Sequence, residues 1–348
     1  MSLHQQKFEH LNVAIIAIVC LILSQLNGFT QDMHFSQLHP VPVCINAGNT
    51  GIFDGDLRIC SAYRNQWSKI DFPYHTYFLS ADGSTRLFGR QFGIGGYFLH
   101  DQSSSVYLTA DKFFLSLSHT SFFKNNQIVV GIQPGLVLKQ FDSDRITFGA
   151  QFDPDAEVFD PDLYSNEGFL ENRMRYFDLN AGVLWRLRLQ NLFLTTGFSA
   201  THINRPVESF FDDNDSTRLP VKYSVHGNLN IPVLKKFELV PIVLYSFTTG
   251  AEEFVGGVTA AYFPANADLV IQKIYVISSF RIDPVKTIDA MVIGGGARIA
   301  NIELAITYDI NISSLRKASN YQGAFELSLI YTLNTSKSGK LTEPCILL

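Results

Sequence analysis

This sequence predicts an all-β fold, a transmembrane antiparallel outer-membrane β-barrel of about 14 strands. Three observations carry that expectation. Apolar residues alternate with polar ones over stretches long enough to cross a bilayer as tilted strands. Of the 348 residues only 17% are charged while 13% are aromatic, including 29 Phe, so part of the surface faces something other than water. Short polar breaks between some apolar runs contrast with long acidic stretches between others, the asymmetry of a barrel with short periplasmic turns and longer outer loops. Mean hydropathy, at +0.09, is too low for a bundle of membrane helices and suits strands that are polar on one side.

In chain order, residues 1–30 read as an export signal. Lys7 lies in a polar n-region, Leu11 to Leu23 form an apolar core, and Gly28 and Thr30 stand at −3 and −1 if cleavage falls before Gln31. A membrane anchor is the rival reading, but the apolar run falls short of the ~20 residues that span a bilayer. Cys20 follows Val19 where lipoprotein processing wants a small residue, so it leaves with the signal. Cys44, Cys60 and Cys345 remain; Cys44 and Cys60 could bridge in an oxidising compartment or stay as thiols. The terminal CILL mimics a prenylation box by chance, since an exported bacterial chain meets no prenyltransferase. Residues 31–56 are expected to form a segment that packs in the lumen or faces the periplasm, 57–333 the barrel, and 334–348 a tail.

Within 57–333 the period is two. Ile128, Val130, Ile132, Pro134, Leu136 and Leu138 share one face, with Gly131, Gln133, Gly135 and Lys139 on the other. Phe177, Leu179, Ala181, Val183, Trp185, Leu187 and Leu189 oppose Asp178, Asn180, Gly182, Leu184, Arg186 and Arg188. Ile302, Leu304, Ile306, Tyr308 and Ile310 oppose Asn301, Glu303, Ala305, Thr307 and Asp309, and Phe325 to Leu333 repeats the pattern against Glu326 and Ser328. Helical spacing would scatter these apolar residues around an axis. Lys124-Asn125-Asn126-Gln127 and Gln190-Asn191 read as hairpin turns, while 142–172 and 204–220 read as long acidic loops. A soluble sandwich also alternates, but its strands average ~5–6 residues. Here aromatics such as Phe177, Tyr308 and Tyr331 sit near strand ends as interfacial girdles do. If these faces meet lipid and lumen, Leu304→Arg should cost roughly 2–4 kcal/mol and Thr307→Arg far less.

Little chemistry is legible. The net charge of −5 excludes a basic nucleic-acid footprint. There is no HExxH motif, no G-x-S-x-G elbow and no phosphate-binding glycine loop; Gly294-Gly295-Gly296 lies in a strand pattern, where glycine marks a kink or a close backbone approach. His119 and His202 fall in expected strands. No catalytic residue is expected, and inward carboxylates read as a solvated lumen. The acidic stretch Asp142, Asp144, Asp153, Asp155, Glu157, Asp160 and Asp162 could gather oxygens around calcium, with Asp153, Asp155 and Glu157 as candidate ligands. It lacks the EF-hand pattern, and a hydrated surface loop is the competing reading.

Beyond the signal the chain runs Gln31-Asp32-Met33-His34-Phe35-Ser36-Gln37, then Asn46-Ala47-Gly48-Asn49-Thr50-Gly51, then Tyr63-Arg64-Asn65-Gln66-Trp67. Further on come Gly93, Gly95 and Asp101, Phe159-Asp160-Pro161, His202 with Pro206, Tyr308-Asp309, and Gly323-Ala324-Phe325-Glu326-Leu327-Ser328-Leu329. This succession resembles the PorP/SprF family of the type IX secretion system. Met33 replaces the family's usual proline, and Ala47-Gly48 its Pro-Ala, which loosens the local backbone. The resemblance implies an outer-membrane barrel that is not an enzyme and serves secretion and gliding. Implied partners are a large secreted adhesin with a type IX C-terminal domain, a periplasmic peptidoglycan-binding lipoprotein and outer-membrane lipids. Arg64 and Trp67 are expected to fix the N-terminal stretch, through carboxylate pairing and burial; a plain first strand is the alternative. The acidic loop, through Asp153, Asp155, Asp160 and Asp162, is expected to meet the adhesin. The competing function is a porin-like channel for small solutes; a cell-surface hydrolase has no residues behind it.

Overall fold

A computed structural model describes residues 35–66, 73–103, 107–142, 149–153, 158–160, 163, 172–210, 217–264, 270–283, 287–313, 316 and 322–334. The expected signal lies outside them. No helix among the described residues is long and apolar enough to cross a membrane; the crossing elements are strands.

The first five strands are β1 (Leu57–Gln66), β2 (Tyr74–Leu87), β3 (Arg90–Ser103), β4 (Leu108–Phe123) and β5 (Asn126–Gln140). A two-residue ladder, β6 (Phe152–Asp153) with β7 (Val158–Phe159), interrupts the series. Then follow β8 (Arg173–Leu189), β9 (Leu192–Thr201), β10 (Lys222–Leu234), β11 (Phe237–Thr248) and β12 (Ala251–Tyr262). The last four are β13 (Ile271–Asp283), β14 (Thr287–Ile299), β15 (Ile302–Asn311) and β16 (Gln322–Leu333). Apart from the small ladder, each strand pairs antiparallel with its chain neighbours, and β1 pairs with β16 from Leu57↔Leu333 to Gln66↔Ala324. The result is a closed fourteen-stranded barrel. Closure removes every sheet edge, which a bilayer demands because hydrocarbon satisfies no backbone donor or acceptor.

The alternation read from the sequence is the alternation of the wall. On β5, Ile128, Val130, Ile132, Leu136 and Leu138 are exposed outward, while Val129, Gln133 and Val137 are buried inward. On β8, Phe177 is 55% exposed and its neighbour Asp178 is 0%. Some strands run longer than the pattern implied, to 17 residues in β8. His202 falls one residue beyond β9, with φ +58, rather than inside a strand as expected. Its Nδ1 meets Asp178 Oδ2 at 2.8 Å, so the pair staples the corner where the chain leaves the wall.

Five two-residue hairpins gather at one end, Phe88-Gly89, Lys124-Asn125, Gln190-Asn191, Lys235-Lys236 and Ala300-Asn301, and another, Thr249-Gly250, lies at the other. Gly89 has φ +75 after Phe88 at φ +52, the two left-handed residues that a tight hairpin matched to strand twist requires. β1 begins and β16 finishes at this same end. The opposite end carries the connections 141–172 and 202–221. In an outer membrane the turns face the periplasm and the long connections face outward.

Candidate functional site

Residues 35–56 run along the inside of the wall, and the inward side chains are built to receive them. A helical turn (Pro42–Ile45) leads into a 3-10 turn (Ala47–Asn49), and Asn46 between them accepts a hydrogen bond from Gly48 N at 2.8 Å. Asn46 Nδ2 donates to the carbonyls of Val183 (3.2 Å) and Phe198 (3.1 Å) on two adjacent strands and lies 3.1 Å from His226 Nε2. This close approach needs bare backbone. A Cβ on Gly182 would collide with the Asn46 side chain, on Gly131 with the Ala47 carbonyl, and on Gly93 with the Thr50 carbonyl. These inward glycines make a track in which 46–51 is seated.

Having no strand partner, the segment turns its carbonyls to lumen side chains. Gln133 Nε2 donates to Val43 O (2.7 Å), Ser199 Oγ to Ile45 O (2.9 Å) and Ser118 Oγ to Thr50 O (2.7 Å), while the hydroxyls of Thr50 and Ser116 bond each other. Polar inward residues therefore satisfy backbone that would otherwise be buried unpaired. Apolar contact does the same at the start: Phe35 meets Phe78 edge-on at 5.9 Å, and the row continues through Tyr97 and Phe114 across β2, β3 and β4.

Three charge clusters bind the segment to the wall. In the first, Arg64 Nη1 pairs with Glu326 Oε1 at 2.5 Å, Arg64 Nη2 with Asp309 Oδ2 at 3.1 Å, and Arg281 Nη1 with the same Asp309 oxygen at 3.1 Å. Ser36 completes it: its N–H donates to Glu326 Oε1 (2.6 Å) and its hydroxyl to Asp309 Oδ2 (2.6 Å), while Gln37 N donates to Glu326 Oε2 (2.9 Å). In the second, Arg58 grips Asp82 through Nε (3.0 Å) and Nη2 (2.8 Å), Asp82 Oδ2 accepts Gly51 N (2.7 Å), and Arg58 Nη2 reaches Asn49 O (3.2 Å). In the third, Lys273 Nζ sits 3.0 and 3.1 Å from the Glu303 oxygens, and His39 Nε2 lies 3.1 Å from Oε1. The inward carboxylates are thus buried and paired, not the solvated lining expected from sequence. Water is replaced by opposite charge and by donors from the segment.

Of the residues singled out from sequence, Arg64 lies in the first cluster, against two carboxylates and Ser36. Trp67, Asp155, Glu157 and Asp162 lie outside the described residues. Asp153 is in β6 and Asp160 donates its N–H to Gln151 O at 2.8 Å, both on the long connection between β5 and β8. Among the described residues, no group of three or more His, Cys, Asp or Glu is placed to hold a metal. Of the three calcium candidates only Asp153 is described. Cys44 and Cys60 are not bridged; Cys60 is buried on β1. Sequence reasoning gave no role to Ser36, Asn46, Asp82, Arg281, Asp309 or Glu326. The signal of Asp82, Arg281, Asp309 and Glu326 was a charge at an inward strand position; Ser36 and Asn46, on the segment, had only their place in the family-like motifs.

No curated protein matches the chain. Among solved structures it is similar to CdiB from Acinetobacter baumannii (8% identity, TM-score 0.48, 79% of this chain and 60% of that one). It is also similar to the Ralstonia pickettii toluene transporter TbuX (9%, 0.48, 85% and 94%). A third is BamA from Haemophilus ducreyi lacking POTRA domains 1–3 (10%, 0.41, 80% and 70%). Residues 27–331 match the family described as type IX secretion system membrane protein PorP/SprF. With that match covering most of its length, this outer-membrane barrel belongs to the PorP/SprF family of type IX secretion system membrane proteins.

Proposed function

We propose that the barrel is a docking platform of the type IX machinery: it holds a large secreted adhesin at its outer loops and passes the attachment to a peptidoglycan-binding lipoprotein in the periplasm. The observation that carries this reading is the seated segment 35–56. Its contacts with β1, β4, β5, β9, β13, β15 and β16 commit the lumen side chains that an open channel would leave to water. A rigid, filled cylinder suits load-bearing better than diffusion of solutes. The acidic connection 142–172, with Asp153, Asp155, Asp160 and Asp162, is the surface assigned to the adhesin. Calcium would serve there by bridging carboxylates on the two partners. Arg64 holds the N-terminal stretch from inside, and Trp67, outside the described residues, is assigned the same task.

The test is affinity purification of the full-length protein from detergent-solubilised outer membranes. Recovery of a large secreted chain with a type IX C-terminal domain, lost when 142–172 is replaced by a short linker in a barrel that still folds, supports docking. Recovery that is indifferent to this loop, together with stepwise ion conductance in planar bilayers, would replace docking with a porin.

A further inference from the structure

The rim of short hairpins is cationic. Arg86 and Arg90 flank the β2–β3 turn, Lys124 sits in the β4–β5 turn, Arg188 precedes the β8–β9 turn, and Lys235-Lys236 make the β10–β11 turn, all exposed. Carboxylates of that end among the described residues are engaged or sit on the link into β1. Glu303 pairs with Lys273, Glu238 accepts Asn230 Nδ2 at 2.8 Å, and Asp54 and Asp56 lie on the link. Each cation adjoins exposed apolar residues, among them Phe88, Phe123, Leu189 and Leu234. That is how long side chains snorkel from an apolar belt to headgroups.

One place on this rim is built into a cleft. The β9–β10 ladder stops at Phe193↔Asn230, although β10 continues to Leu234. Against β11, β10 bulges between Pro232 and Leu234, and Pro232 has no N–H with which to extend the pairing. The two hairpins therefore part, leaving a cleft of about 500 Å³ whose lining includes Leu192, Pro232, Val233 and Leu234, with Arg188 and Lys235 as its two cations and no carboxylate. This volume suits a small ligand, whereas a protein interface needs roughly 1,000 Å² of complementary surface.

We infer that the cleft binds the phosphate headgroup of an anionic phospholipid of the periplasmic leaflet. Lys235 in the turn and Arg188, on the lumen-side row of β8, hold the phosphate from the two sides of the gap, and an acyl chain lies along Leu192 and Leu234 on the outward row. Two cations attract the single negative charge of a phosphodiester, the apolar wall distinguishes a lipid from free phosphate, and the level is that of the headgroups on the turn side. A bound lipid there would also fix the two hairpins that the strand ladder leaves unpaired.

Native mass spectrometry of the full-length detergent-purified protein, titrated with phosphatidylglycerol or phosphatidylcholine, tests it. Phosphatidylglycerol should be retained roughly twenty-five-fold more strongly. R188Q/K235Q should abolish that preference, each cation near an anionic headgroup being worth about fivefold. L234N should weaken retention of both lipids. R90Q/K124Q, on hairpins without a cleft, should change little. If R188Q/K235Q does not fold, K235Q alone is read against the single fivefold loss. Equal retention of the two lipids, an equal loss in R90Q/K124Q, or displacement by equimolar inorganic phosphate overturns the site. A polyglutamate peptide that binds more tightly than lipid and is indifferent to L234N would hand the cleft to a protein partner.

Discussion

Arg64 and Glu326 face each other across the seam that closes the barrel: they are direct partners in the β1–β16 register and an ion pair at 2.5 Å. The same pair receives Ser36, so one cluster both closes the cylinder and seats the segment inside it. Removing one partner leaves the others charged in a buried site. Arg64→Ala should cost about 3–5 kcal/mol of stability, the range for an orphaned buried charge. A urea titration of the refolded barrel, followed by heat-modifiable mobility, reads this. Arg64→Ala with Glu326→Gln should recover part of the loss, and strict additivity of the two would mean that the pair is not coupled.

The glycine track makes a separable prediction. Gly131→Val places a side chain where the Ala47 carbonyl lies, while its backbone φ is one that valine adopts readily in a strand. The barrel should fold and the segment should be expelled from its seat. Single-channel recording should then show conductance that the parent protein lacks, and limited proteolysis should cut between residues 35 and 56. A variant as closed and as protected as the parent would mean that the segment does not fill the lumen.

Phe35→Ala tests the other end of the seat. Phe35 is buried, and Phe78 accepts its edge at the head of an aromatic row. Truncation should cost about 3–5 kcal/mol if the contact belongs to the folded core. Protease sensitivity of the segment, rather than disassembly of the wall, is the expected first symptom.

The wall was legible because a strand has a period of two and one face must be apolar in lipid. Ile128 to Leu138 and Phe177 to Leu189 announced their faces residue by residue, and Gln190-Asn191 announced its turn. The segment 35–56 has no period, and its partners lie far along the chain: Ser36 and Glu326 are separated by 290 residues. Asp309 and Glu326 were visible as inward residues and as family motif residues, with nothing local to say that they meet Arg64. Gly131 and Gly182 were readable as inward positions, but an inward glycine gives no hint of which carbonyl or amide will occupy the space.

The sharpest check of which face meets what is Leu304 against Thr307 on β15. Leu304 is 43% exposed on the outward face two residues into β15 from its turn, and an arginine there should cost about 1–2 kcal/mol, between the values of the interface and of the bilayer middle. Sequence alone makes Thr307→Arg mild, since an inward position faces a watery lumen. The structure reverses that expectation: Thr307 is 1% exposed, and its Oγ1 accepts Gln37 Nε2 at 3.1 Å. An arginine at 307 must displace Gln37, which also accepts a hydrogen bond from Ser328 Oγ at 2.7 Å. Folding titrations should therefore find both substitutions costly for different reasons. Deleting 35–51 in the same background separates them: without the segment, Thr307→Arg should become nearly neutral while Leu304→Arg keeps its full cost. If the deletion leaves the cost of Thr307→Arg unchanged, the lumen is filled by something other than this segment.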